Sequence, residues 1–550
     1  MKKSLYFILC FGLVFSTFLG CTKKHKLDNE TLVFNLETEP PTVDPTKTTD
    51  TTSSLVIENL FDGLLDYDLP NLTVVPKVAK SWDISKNALV YTFHLRDDVT
   101  WTDGKKVTAY DFEYSWKRMI DPKTAAEYAY FLFDVKGAKD FNQGKLKDEK
   151  QLGIQALNDT TFQVTLAQPV AYFIHVATFP GLMPLRRDVI EKHGDKWIEP
   201  QNIVTNGPFI LTKWKHDYEM ILTRNENYFG PKAKLKTIRC LMVTEQSTAL
   251  SLYQTKKLDI IRNLPALEIP KLKTSADYRS GNFLGSYYIG FLTTKYPLDN
   301  KYVRRAITAA IDRNQITDLL EKGDLATTSI IPKGLLGYNE KIGIPYNVEE
   351  AVSWMKKAGY KLQDVEGEKQ WVDTETKKPF PTITVTFNTN EAHKTVIENL
   401  QQQWKKNLYI PVEINNQEWK VYIDSLHSAR KTPDRVGFHI FRLGWVADYP
   451  DPDNFMSLFT SYSDNNNTGW ANPKFDALVE KAKVVLDPKK RAKLYDQAQK
   501  ILLEEDAAIL PIYIYAHQSM WRDEVQGIAL NPLDSWKLDE IWVQRKTAQK

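Results

Sequence analysis

Once its first 20 residues are set aside, this 550-residue chain continues for 530 more with no repeat, low-complexity tract or long Gly/Ser linker. A single hydrophobic core stops growing at roughly 250–300 residues, so a chain of this length must divide into two or three lobes. Lobes without flexible linkers between them imply a chain that crosses from one to another several times. Through the second half, short β-branched runs alternate with amphipathic helical patterns, which argues for α/β lobes.

Alternation in Val90-Tyr91-Thr92-Phe93-His94-Leu95 reads as a half-buried strand, and a helix is expected over 109–120 after the turn at Thr102-Asp103-Gly104. Further strands are expected at 32–36, 161–166, 209–214, 382–387 and 509–515. The strongest helical pattern spans 299–322: Val303, Ala306, Ile307, Ala310 and Ile311 share a face, and Gly323 is the expected stop. Val396, Ile397, Leu400 and Trp404 mark another helix, as do Leu494, Ala498, Ile501 and Leu502.

The start of the chain reads as an address. Lys2 and Lys3 precede a short apolar run that ends at Gly20-Cys21, the pattern of a secretory signal peptide over 1–20. The run is shorter than the ~20 apolar residues of a membrane-spanning helix. Cys21 directly follows the small residue, as in the lipobox of bacterial lipoproteins, and would carry lipid, with 21–26 as a tether. Phe18 stands where that motif usually has Leu, so cleavage by the ordinary signal peptidase stays open. Acyl chains contribute about 0.8 kcal/mol per buried CH₂ to membrane anchoring.

Of the three cysteines, Cys10 leaves with the leader and Cys21 is reserved for lipid, so Cys240 has no partner in the chain. That excludes a disulfide framework and a cysteine metal site. Cys240 lies in the apolar-rich run 238–243 and reads as a buried strand thiol. Formal charge is +3, and +1 without Lys2 and Lys3; no basic footprint suggests nucleic acid.

Several segments, in order along nearly the whole mature chain, carry a resemblance. They are Tyr91-Thr92-Phe93-His94-Leu95-Arg96 with Trp101-Thr102-Asp103-Gly104 through Phe112, then Gly194-Asp195-Lys196-Trp197 and Asn202 through Asn206-Gly207-Pro208. Val303-Arg304-Arg305-Ala306 through Ile311-Asp312-Arg313, and Gly444-Trp445-Val446-Ala447-Asp448-Tyr449, complete the set. Together they resemble the extracytoplasmic oligopeptide-binding proteins of bacterial ABC importers.

The resemblance implies a type II periplasmic-binding-protein-like α/β fold: two hinged lobes plus an additional one. It implies lobe I from 27–61, 187–284 and 517–550, lobe II (the extra lobe) from 62–186, and lobe III from 285–516. It also implies an extracytoplasmic, non-enzymatic monomer, without cofactor or metal, that takes short peptides to ABC importer permease subunits. Asp448 matches the family's amine-binding aspartate; on local sequence alone it reads as a turn-capping aspartate before Pro450 and Pro452. Gly444, Trp445 and Val446 would meet the peptide backbone, and Arg442 and His393 its carboxylate. An inter-strand salt bridge for Arg442, and a capping or surface role for His393, are the competing readings. Tyr128, Tyr288, Trp419 and Tyr515 match cleft positions, although aromatics are more often core than ligand contacts.

Departures concern preference. Thr49 and Gly290 replace acidic residues, Leu320 a lysine (Lys322 lies elsewhere on the helix) and Leu426 an arginine, for which Arg430 is a substitute. Signatures of other functions are few. Gly-x-Ser-x-Gly and His-Glu-x-x-His are absent, which disfavours hydrolases, whereas carboxylate pairs such as Asp451 and Asp453 leave glycosidase chemistry open. The same lobes binding a metal complex, haem or oligosaccharide, or serving as a surface receptor or adhesin, stay open as well.

Overall fold

The computed structural model describes residues 28–69 and 71–545; the expected leader, Cys21 and the rest of the tether lie outside them. An 11-stranded sheet forms the spine. Its order is Val412–Gln417, Ile383–Asn388, Ile440–Val446, Tyr278–Phe291, Ile509–Trp521, Ile260–Ile261, Thr31–Asn35, Thr237–Leu241, Glu219–Arg224 and Phe209–Lys215, with Leu325–Ala326 added beside Ile509–Trp521. Cys240 lies fully buried in Thr237–Leu241.

Two strands of this sheet are unusually long, Tyr278–Phe291 and Ile509–Trp521, and they run antiparallel. Tyr278 to Asn282 pair with Met520 to Ala516, and Ser286 to Gly290 pair with Ile514 to Ile509. Between these stretches the register shifts, and a second irregularity falls between Tyr287 and Tyr288. Bulges of this kind bend a sheet and re-aim its side chains. Separate hydrophobic clusters lie on the two sides: one around Phe34, Leu60 and Ile238, another around Ile289, Ile307, Val385, Trp404 and Ile512.

A separate four-stranded antiparallel sheet, Ala79–Ile84, Val90–Leu95, Thr161–Thr165 and Ile154–Asn158, is covered by helix Ala109–Ile120. Thr108 and Asp111 close a capping box at the helix start, which satisfies two otherwise orphaned backbone donors. Trp116 reaches down from the helix to donate to the Leu182 carbonyl at 2.9 Å.

The long helix expected over 299–322 is instead two, Lys301–Ala309 and Arg313–Leu320. Asp312 is the reason: its side chain caps the Asn314 N–H at 3.0 Å, and Gln403 holds both its N–H and its carbonyl. The stop is Glu321 in the left-handed conformation, ahead of Gly323. The apolar face is as expected, with Val303, Ala306, Ile307, Ala310 and Ile311 fully buried.

Several residues of the ordered motifs turn out to hold the frame together. Arg304 is buried and donates to the carbonyls of Leu298, Asp506 and Ala507. Asn206 makes a two-way exchange with the backbone of Asp62 at 3.0 Å each way. A methyl group at Gly207 would overlap the Leu60 backbone, so only glycine fits there. Among the described residues, no helix is long and apolar enough to cross a membrane.

Candidate functional site

A cavity of about 280 Å³ opens beside the strand Ile440–Val446. On one side this strand pairs along its whole length, from Phe291↔Ile440 to Gly285↔Val446. On the other, only Ile440 and Phe441 pair with Ile383–Asn388. Gly444, Trp445 and Val446 therefore line the cavity along an edge with no strand partner among the described residues. Such an edge can accept an added strand, bonding main chain to main chain whatever the side chains.

Asp448 follows the strand by two residues and faces the same cavity. Asn454 Nδ2–H donates to its Oδ2 at 2.9 Å, and the Tyr128 hydroxyl lies 3.3 Å from its Oδ1. Asn454 Oδ1 in turn accepts from the Asp448 N–H at 3.1 Å and from Trp445 Nε1–H at 2.9 Å. Every partner is neutral. Burial pushes the Asp448 carboxyl up to about 7, and among the described residues no lysine, arginine or histidine pairs with it. A buried carboxylate without a cation is costly, so this geometry suits an incoming ammonium.

Arg442 is the converse. It is buried, donates to Asn388 Oδ1 at 3.1 Å and to the Tyr515 hydroxyl at 2.5 Å, and stacks over Tyr287 at 4.5 Å. No salt bridge holds it among the described residues, and its Nε has no partner. A methyl group at Gly444 would collide with the Tyr515 hydroxyl, so glycine there is what lets Tyr515 reach Arg442. His393 lines the same wall at the start of helix Glu391–Leu408. Burial, then the charges of Arg442 and Lys322, hold it well below the usual histidine range, so it presents a neutral ring near pH 7. Its Nδ1 has no hydrogen-bond partner among the described residues.

Tyr128, Trp419 and Tyr515 all line the cavity. Tyr288 does not: it is 1 % exposed and packs edge-on against Phe459 at 5.6 Å. Tyr287 and Tyr288 are consecutive in a strand that pairs in unbroken register with Ile440–Val446, so their rings face opposite sides of the sheet, and Tyr287 is the one that lies under Arg442. Sequence reasoning also missed Asn454, which positions Asp448, and Asp50, a second carboxylate in the wall. A helix-capping signal at Asp50 is visible in the Asp-Thr-Thr-Ser-Ser run, but nothing local says that it faces the cavity. Lys322 is in the wall too, despite its place beyond the helix. Among the described residues no group of three or more His, Cys, Asp or Glu side chains is placed to hold a metal ion.

The profile of the bacterial extracellular solute-binding proteins, family 5 (Middle), matches residues 73–467. The chain belongs to this family. Family 5 members are binders rather than enzymes, and this chain is one of them. It is 33 % identical to the oligopeptide-binding protein OppA of Bacillus subtilis over 531 residues, 93 % of this chain and 92 % of the relative. Its fold overlays on Haemophilus influenzae OppA in complex with the peptide RPPGFSPFR with a TM-score of 0.85, at 32 % identity and covering 94 % of this chain and 99 % of the other. The Escherichia coli murein tripeptide binding protein MppA gives a TM-score of 0.86 at 29 % identity, covering 94 % and 99 %. Against the unliganded open form of MppA the TM-score is 0.61 at 29 % identity, covering 94 % and 98 %. The fold thus overlays more closely on the peptide complex than on the open form.

Proposed function

We propose that the chain captures short peptides in this cavity, outside the cytoplasm, and hands them to an ABC importer. Asp448 takes the leading ammonium, the free edge of Gly444, Trp445 and Val446 takes the backbone, and Arg442 with Lys322 attracts the trailing carboxylate, His393 adding a neutral polar contact. Closure brings the three lobes together around the ligand, with lobe boundaries at 61/62, 186/187, 284/285 and 516/517. The hinge in this reading is the register shift between Asn282 and Ser286, opposite Ala516 and Ile514. Ligand then acts by preferring the closed arrangement. Cys21, acylated after removal of 1–20, holds the monomer on the membrane near the permease subunits.

One observation carries the reading: a buried carboxylate in the cavity wall, fixed by Asn454 and Tyr128, has no cation beside it among the described residues. A protein that served its own stability would pair it. The test is a thermal-shift series with one tripeptide and its N-acetylated twin. The free amine should raise Tm by several degrees at 100 times its Kd, about 2.7 kcal/mol, and the acetylated form should do little. Equal stabilisation by both overturns the reading. For the anchor, radiolabelled palmitate should enter the wild-type protein and not the Cys21→Ser variant.

A further inference from the structure

Two helices that start at the rim of the cavity pack into different cores. Helix Gln246–Gln254 sends Ala249, Leu250 and Tyr253 into the cluster around Val33 and Ile261. Helix Glu391–Leu408 sends Val396, Leu400 and Trp404 into the cluster around Ile289 and Val385. Gln246 and Ala392 line the cavity, while Ser247, next to the first, is exposed and Glu391, next to the second, is half-buried. In the lobe reading above, the first helix is in lobe I and the second in lobe III.

One side chain joins the two helix starts. Glu391 Oε1 accepts from the Ser247 N–H at 3.1 Å and from the Ser247 hydroxyl at 2.9 Å, and its Oε2 lies 3.0 Å from the same hydroxyl. Helix Gln246–Gln254 has no side-chain cap of its own, because Glu245 stands at its N-cap position without bonding a free N–H. Glu391 supplies from 144 residues away what a helix start ordinarily takes from its own N-cap. Its charge also faces the positive end of that helix. Helix Glu391–Leu408 is capped independently by Asn390, whose Oδ1 accepts from the N–H groups of Ala392 and His393 at 2.9 and 3.2 Å.

We propose that Glu391 is a latch across the cavity mouth, closing on Ser247 when the lobes come together and prolonging the stay of whatever they enclose. The proposal rests on the peptide reading above and adds a kinetic control to it, carried by residues outside the ligand contacts of that reading. Parting the two cores would strip the helix start of its cap. The bond therefore favours the closed arrangement alone, and a contact made in one state shifts the equilibrium toward that state. Because it forms after the ligand has entered, its loss should show in the rate of leaving.

The experiment is stopped-flow displacement of a free-amine tripeptide, labelled with a fluorophore on its last side chain, from the whole protein. A melting curve of each empty variant accompanies it. Glu391→Asp keeps an acid in the first turn of its own helix but is shorter by one methylene and no longer reaches Ser247. Its off-rate should rise about fivefold, the scale of one helix cap, with the on-rate and the Tm of the empty protein unchanged. Ser247→Ala, which keeps the N–H, should raise the off-rate less. The double variant should release peptide no faster than Glu391→Asp alone, since both changes remove one contact. A wild-type off-rate in Glu391→Asp, or effects of the two changes that multiply, overturns the latch while leaving the peptide reading standing. So does a fall in the Tm of empty Glu391→Asp, which would show a helix cap present whether or not the lobes are closed. Failure of every peptide to bind the wild type overturns both.

Discussion

Asp448 and Asp451 sit three residues apart on one loop, both largely enclosed, yet they are in opposite electrostatic states. Asp451 accepts a two-pronged pair from Arg491, both bonds at 2.7 Å, so its charge is answered inside the protein. Among the described residues, the Asp448 carboxylate has only Asn454 and Tyr128 as side-chain donors. The contrast teaches that burial of a carboxylate does not by itself make a site. What distinguishes a site is a charge fixed in place by neutral donors and left without its counter-ion. Arg442 repeats the pattern with the sign reversed, held by Asn388 and Tyr515.

Exchanging the two aspartates in turn should separate the roles. Asp448→Asn is expected to weaken free-amine peptides by a hundredfold or more, about 3 kcal/mol for a truncated buried charge pair, with Tm of the empty protein not reduced. Titration calorimetry reads the first and a melting curve the second; retained affinity would break the comparison.

Asp451→Asn should do the reverse. Arg491 would be left buried without its partner, a loss of order 3 kcal/mol. Tm should therefore drop by several degrees while the ligand-induced shift survives. A loss of binding with unchanged Tm would place Asp451 in the site instead.

The smallest expected effect is in pH. With the Asp448 carboxyl near 7 in the empty cavity, an ammonium ligand must displace a proton below that value. Affinity should fall as pH drops through 7, by up to tenfold per unit. For folding, the sign is the other way. Between about pH 4 and 7 the native protein holds a proton that the unfolded chain has released, so this group's contribution to stability declines as pH rises through that window. Asp448→Asn lacks this penalty and should melt later than wild type at pH 8. A pH-independent affinity would show that the carboxyl is already ionised in the empty protein.

Much of the fold is legible in local pattern. Helix Ala109–Ile120 and strand Val90–Leu95 fall on the expected residues, because period and capping signals agree there. The break at Asp312 was not legible, because helical spacing continues across it and the interruption comes from Gln403, 91 residues away. The burial of Tyr288 is not legible for a related reason: alternation puts Tyr287 and Tyr288 on opposite faces of their strand, and only the packing of the sheet decides which face meets the cavity.

By itself, then, the sequence determined the alternating strands and helices, the need for several cores, and, through an ordered set of motifs, the family. Tertiary structure alone decided which charges are answered. Whether a carboxylate is paired depends on side chains brought from distant parts of the chain: Tyr128 to Asp448, Arg491 to Asp451. Residue order encodes no such distance, and Coulomb attraction and desolvation act only once the lobes have been folded against each other.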